Sequence, residues 1–262
     1  MAEKKKVERQ FVRASDGKAL DPKAPKTAAK SSTAALDRGD VLPKEERVKK
    51  ARPKRILAIV FWVLALACEV FAILILSKKM YVGENPMIFF WILLAVDFVF
   101  VVIGSQFWKK GNDIDPASQK NKFKFFLQNQ LGVIVSLIAF VPLIILVLIN
   151  KDMDKKTKTI ATVVAIIALL IAGVSSVDFN PASQEELEAA GEVFSNEAVY
   201  WTRFGTVYHL DPDCQAIKNS AVIFSGTVEE AFEANRNRPC SFCVDYETQS
   251  ALDDALEDIL GD

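Results

Sequence analysis

Hydrophobic and polar positions divide this chain into three stretches. Residues 1–55 hold almost no apolar run, residues 56–177 hold nearly all the long ones, and residues 178–262 read as ordinary globular sequence. A helix needs roughly 20 apolar residues to cross a bilayer. Four segments qualify: 56–77, 86–108, about 127–149 and a shorter 160–177. Lys, Asn or Gln flanks each of them, and Trp62, Trp91 and Trp108 fall near span ends, where an aromatic belt would place them. A soluble bundle would need charged faces at helical spacing, and the first, second and fourth segments have none. Ala161, Ala165, Ala168 and Ala172 form a small-residue stripe on the fourth segment. Such a stripe lets helices approach closely, within one chain or between copies in a homo-oligomer.

The outer stretches carry different signals. The tail 1–55 mixes Lys, Ala, Ser, Pro and Asp without periodicity and reads as a disordered basic segment. After the last span, Pro181 and the pair Ser183 and Glu186 predict a capped helix ending near Gly191, so 178–197 reads as a helical linker. Two β-rich runs, 198–203 and 206–210, flank Gly205 and predict a hairpin with His209 on its second strand. A short strand over 221–224 follows, then a capping box from Thr227 to Glu230 opening a helix to about Asn237. The hairpin through residue 247 makes one small α+β domain, 198–247. In the last segment, 248–262, Leu252, Ala255, Leu256 and Ile259 recur at helical spacing. That amphipathic helix could dock on the domain or on a protein partner.

Composition adds little, because 51% hydrophobic residues is close to a soluble average of about 45–50%. Charge adds more, since the net charge of -1 conceals opposite ends. The tail 1–55 has about 17 Lys and Arg, whereas 178–262 has about 18 Asp and Glu against about 4 Lys and Arg. The first apolar segment starts too late and runs too long for a cleavable signal peptide. Lys109, Lys110, Lys120, Lys122 and Lys124 make the second loop basic, as the tail is. Basic loops stay inside, so the tail, the second loop and, after four spans, the C-terminus are expected in the cytoplasm of a multi-pass protein in the cell membrane. The third loop, with Lys151, Lys155, Lys156 and Lys158, is more basic than that scheme wants.

Glu69 and Asp97 stand in the middle of the first and second spans, and no Lys or Arg lies within any span. A charge at that depth costs about 2.5–3.5 kcal/mol even on the mild insertion scale. Counted from the outer ends, the two carboxyls lie within roughly 4–5 Å of each other in depth, so they could share a proton. Gln130, at the start of the third span, could complete a polar patch. One reading is a proton or cation site in a transporter or sensor; the other is protonated carboxyls hydrogen-bonded between helices as packing contacts.

The chain has four cysteines and one histidine. Cys68 lies in a span, while Cys214, Cys240 and Cys243 share one short domain with His209. Two cysteines separated by two residues let one turn present both thiolates to a tetrahedral metal. With His209 and Cys214 they make a complete Cys3His set, and in a reducing compartment that composition favours zinc over a disulfide. A domain this small also has too little core to be comfortable without a staple. A redox pair at Cys240 and Cys243, or an accidental cluster, is the alternative. The expected fold is thus an α-helical membrane protein with four transmembrane helices and a small α+β C-terminal zinc-binding domain.

From Gly205 through Tyr208, His209 and Cys214, then Val222 to Phe224, Glu230 and Ala231, and Arg238, Pro239, Cys240 and Cys243, the sequence resembles the zinc-binding domain of bacterial Ada-type DNA-repair methyltransferases. It is more similar to the His-containing relatives appended to bacterial nuclease-like and membrane proteins. The likeness covers about 45 of 262 residues. It implies a bacterial protein with His209, Cys214, Cys240 and Cys243 as zinc ligands. Two departures stand out. His209 replaces the cysteine that accepts a methyl group in the Ada domain, so that chemistry is lost, and the first ligand pair is one residue wider. Four protein ligands leave no open position for water, so the zinc reads as structural. Excess acidic charge disfavours nucleic acid as a partner. No Ser/His/Asp set or phosphate loop is present, and one histidine cannot be both ligand and general base. The chain is therefore expected to be a non-enzymatic membrane protein with a zinc-stabilised binding or scaffold module. An ion-coupled transporter or sensor using Glu69 and Asp97, and a membrane-tethered nucleic-acid factor suggested by the likeness, are the alternatives.

Overall fold

The computed structural model of the chain describes residues 9–20, 41–151, 153–194 and 197–261. They form two compact units. The first comprises 49–112 and 123–179; the second gathers 9–20, 41–48, 113–122, 180–194 and 197–261. The strands and helices, in chain order, are β1 (Gln10–Arg13), β2 (Ala19–Leu20), α1 (Lys44–Leu76), α2 (Pro86–Ile114), α3 (Lys122–Asn129), α4 (Leu131–Ile149), α5 (Lys155–Ser176), α6 (Gln184–Val193), β3 (Val199–Trp201), β4 (Val222–Gly226), α7 (Val228–Glu233) and α8 (Tyr246–Gly261).

Helices α1, α2, α4 and α5 are each long and apolar enough to cross a membrane. Only 22–33% of their most apolar windows is buried within the protein. Ile59, Val63, Val70, Ile92, Leu148, Leu170 and Val174 lie on the outside. A soluble bundle would turn that much Ile, Leu and Val inward, whereas lipid accepts it. The interior combines small, aromatic and aliphatic residues: Ala65, Ala72, Phe90, Phe140, Leu143 and Val147 are all essentially inaccessible. The alanine stripe of α5 is spent inside the chain, with Ala161, Ala165 and Ala172 buried and Ala168 half-buried. At Gly132 a side chain would meet Ser105 Oγ at 2.8 Å and Ser176 Cβ at 3.2 Å, so hydrogen at this position lets α2, α4 and α5 converge. Trp62 lies inside the seam between α1 and α2, 5.4 Å from the Trp108 ring. Lys54 and Arg55 sit over the Phe107 and Trp108 rings, each at 5.9 Å.

Helices begin and end differently from the hydropathy boundaries. α1 starts at Lys44 and α2 continues to Ile114, because hydropathy marks the lipid-facing stretch and not the last hydrogen-bonded turn. The third span is broken: α3 stops at Asn129, and α4 starts after Gln130.

The second unit is built on a four-stranded sheet ordered β2-β1-β4-β3. β1 runs parallel to β4, with Phe11 opposite Ile223, and β3 runs antiparallel to β4, with Trp201 opposite Phe224. α6 and α7 begin in complete capping boxes, Ser183 with Glu186 and Thr227 with Glu230. Leu187, Ala190, Phe194, Val199, Trp201, Tyr208, Ala231 and Phe232 form the core. The disordered tail expected over 1–55 does not hold for Gln10–Arg13, Ala19–Leu20 and the part of α1 before residue 56, which are strand and helix. Residues 1–8 and 21–40 lie outside the described residues. β1 is short and its long-range partner lies over two hundred positions away, so no local pattern marks it. The helical linker expected over 178–197 is likewise part of the domain, because α6 supplies core residues. Residues 113–122 belong there too: the Gln119 amide donates to Glu185 at 2.9 Å, and the Ser118 hydroxyl donates to the same carboxylate.

Candidate metal centre

The site is assembled from three pieces of backbone. β3 passes Tyr200, whose amide and carbonyl exchange hydrogen bonds with His209 at 2.8 and 2.7 Å. This single bridge, and not a full second strand, holds His209. The Cys240–Cys243 turn hangs from the neighbouring residue: the Cys240 amide donates to the Tyr208 carbonyl at 2.8 Å, and the Tyr208 amide to the Arg238 carbonyl at 2.9 Å. The Cys243 amide closes the turn on the Cys240 carbonyl at 2.9 Å. A second turn delivers Cys214. Asp211 accepts the Asp213 amide on its side chain at 2.9 Å and the Cys214 amide on its carbonyl at 3.1 Å.

These turns bring His209, Cys214, Cys240 and Cys243 together, with one ligand atom from each lying within 4.8 Å of the others. The first three are buried and Cys243 is half-buried. His209 Nδ1 stands 3.6 Å from Cys243 Sγ. Bonds of about 2.0–2.1 Å to nitrogen and 2.3 Å to sulfur put the N···S edge of a tetrahedron at roughly 3.6 Å and the S···S edge at about 3.8 Å. The cluster could therefore hold a metal ion with small adjustments. The three cysteines are not joined in a disulfide. Burial lowers the His209 pKa, which keeps the imidazole in the neutral, ligating form. Burial raises the Cys243 thiol, while the backbone of Asp211 and Leu210 acts to stabilise the thiolate. A bound cation would add to that second effect.

Beside the cluster lies a cleft of roughly 530 Å³, lined by Thr202, Phe204, Gly205, Arg238, Ser241 and Phe242 among others, and reaching His209 and Cys240. Phe204 is 91% exposed and Phe242 68%. Sequence reasoning passed over both, although each occupies a turn, one beside Gly205 and one between two cysteines, where no core can take a ring. Tyr200, Trp201 and Tyr208 are buried in the core.

In the first unit, Glu69 and Asp97 are buried and act on one another electrostatically. Gln130 does not join them. It precedes α4, and its side-chain amide donates to the Asp178 carbonyl at 3.4 Å. Its neighbour Gly132 meets Ser105, which is roughly 12 Å along α2 from Asp97 at helical rise.

No family model matches the chain, and no curated protein or solved structure matches it.

Proposed function

We propose that this chain is a multi-pass protein of the bacterial cell membrane whose soluble unit, held together by one structural zinc ion, is a binding module on the cytoplasmic side. The observation that carries it is the convergence of His209, Cys214, Cys240 and Cys243, three Cys and one His with ligand atoms inside 4.8 Å. Thiolate with imidazole is a zinc set, and four protein ligands leave no open position for catalytic water. The likeness to His-containing Ada-type domains supports the same four ligands. A binding role is supported by the adjoining cleft, where exposed Phe204 and Phe242 flank Arg238. The acidic balance of 178–262 speaks against nucleic acid as the partner.

Sidedness has a support independent of charge. The segments of the soluble unit, 9–20, 41–48, 113–122 and 180–261, precede the first span, join the second to the third and follow the fourth. A four-span path leaves these segments on one face. The basic tail and second loop make that face the cytoplasmic one.

The test is elemental analysis of the full chain purified in mild detergent, followed by chelation and hydrogen exchange. One zinc per chain is expected, with Cys240→Ser losing it, and metal removal should strip protection from β3 and β4. Structural zinc in small domains contributes about 10–16 kcal/mol of apparent binding free energy, so the loss should be complete and not graded. A metal-free chain with β3 and β4 still protected would sink the proposal.

A further inference from the structure

We infer that Asp97 and Glu69 form an intramembrane proton-binding site. Asp97 lies on α2, 1% exposed, beside the core residues Leu94 and Val101. Neither of its carboxylate oxygens has a hydrogen-bond partner among the described residues. Glu69, on α1 and 5% exposed, is close enough to act on it electrostatically, as is Cys68 on the same helix. No other ionisable side chain faces the pair from the apolar segments: α4 has none along its whole length, and α5 has none from Thr159 to Ser176.

Two explanations for a carboxyl at this depth thereby fall away. A packing carboxyl would hydrogen-bond across helices, and Asp97 makes no such bond. The nearby serines do not serve it, since Ser105 and Ser136 donate to the Val101 and Gly132 carbonyls of their own helices, each at 2.9 Å. A salt bridge would need a cation, and the spans hold no Lys, Arg or His. What remains is neutralisation by a small mobile cation. Hard metal ions such as calcium take 6–8 oxygen ligands, far more than these apolar surroundings offer. A proton needs only one oxygen. Because the groups are close, loss of one proton leaves an anion that holds the next more tightly, so the pair titrates in two steps that belong to both residues.

The test is infrared difference spectroscopy of the full chain in liposomes, following the carbonyl stretch of protonated carboxylic acid as pH is raised, in water and in heavy water. A band that shifts in heavy water and disappears in two separated steps is expected for the wild type. Glu69→Gln and Asp97→Asn should each leave a single step, at lower pH than the later wild-type step, because the neighbouring charge is gone. Amide bands check that each variant keeps its helices; if one variant does not reconstitute, the wild-type titration and the other variant decide. A band that neither exchanges nor titrates marks a static packing group and overturns the proposal. So does the absence of any protonated carboxyl, or single-variant steps that coincide with the wild-type ones. A band displaced by sodium at constant pH would overturn it in favour of a sodium site.

Discussion

Arg47 offers a sharp test of how the start of α1 is tied into the second unit. It is 2% exposed; its Nη2 donates to Glu188 Oε1 at 3.0 Å and its Nη1 to the Leu42 carbonyl at 3.2 Å. Its Nε has no partner among the described residues. The Glu188 side chain is 36% exposed and also accepts from Gln184 at 2.8 Å. The two ends of this ion pair sit in different surroundings, so breaking it from either end should not cost the same. Removing one partner of a fully buried pair costs about 3–5 kcal/mol, because the other charge is stranded. Glu188→Ala strands the guanidinium but leaves its bond to Leu42 and opens some access for water, which brings the expected cost to about 2–3 kcal/mol. Arg47→Met keeps the volume of the stem and leaves Glu188 to water and Gln184, for a cost of about 0–1 kcal/mol. The double variant should then resemble Arg47→Met alone, since no buried charge remains to be stranded. Hydrogen exchange of the α6 and α1 amides, measured on the full chain in detergent, reads these costs as changes in opening free energy. Equal costs for the two single variants, or a double variant as unstable as their sum, would refute the reasoning.

Three other outcomes follow from particular contacts. A methyl group at Gly226 would overlap the Glu230 carboxylate that accepts the Thr227 amide at 3.1 Å, and would press on Trp201 at 3.0 Å and Ala14 at 3.1 Å. Gly226→Ala should therefore open the capping box and cost about 2–4 kcal/mol, read as early exchange of α7; an unchanged α7 would show that the turn yields freely. Burial works against ionisation of Glu185, but the Ser118 hydroxyl and Gln119 amide outweigh it and hold the carboxyl below its usual range. A depressed folded pKa gives stability that is present above the unfolded value of about 4.3 and lost as pH falls through the folded one. Protection of α6, corrected for intrinsic exchange, should fall with acid in that window and fall less steeply in Ser118→Ala; identical acid profiles would count against the contact. Phe11 meets the Tyr200 ring edge-on at 6.4 Å and stands opposite Ile223. Phe11→Ala should cost about 1–2 kcal/mol, less than the 3–5 of a fully buried ring, and should release β4 before α6; exchange of the two in the reverse order would contradict the sheet order.

What could be read from the sequence depended on how far apart the cooperating residues are. The spans were legible because hydrophobicity over twenty consecutive residues is a local quantity. The capping boxes at Ser183 and Thr227 were legible because both partners lie three residues apart. The metal cluster was legible for a different reason: one His and three Cys in one domain are scarce enough to be assigned by inventory. The face of α8 could be read as well: Leu252, Ala255, Leu256 and Ile259 are half-buried, along with Thr248 and Ser250. β1 had no such signal, since four residues inside a charged tail show no period, and what makes them a strand is β4. The 113–122 segment read as a plain loop because its fixing contact is with Glu185. Sequence alone groups Gln130 with Glu69 and Asp97, and helix register separates it from them.

The long-range contacts impose an order on folding. β1 pairs with β4, so the sheet cannot close until residues 222–226 exist. By then all four apolar helices, which end at Ser176, have been made. The contact between Ser118 and Glu185 likewise joins a segment between the second and third spans to one beyond the fourth. If the four apolar helices cross a membrane, one that fails to cross would reverse the side of everything after it and separate at least one of these segments from its partner. On the four-span path proposed above, the β1–β4 pairing and the Ser118–Glu185 contact are therefore complete only on a chain whose spans have all inserted. Non-local contacts form slowly because loop closure precedes their stabilisation, and here the loops to be closed contain the long apolar helices themselves. A cluster that could hold a metal ion would help such a unit. His209, Cys214, Cys240 and Cys243 lie within one stretch of 35 residues and can assemble locally, before β1 and 113–122 arrive. The cluster would hold β3 and the Cys240 turn in place, and the distant segments would then dock on a surface already formed.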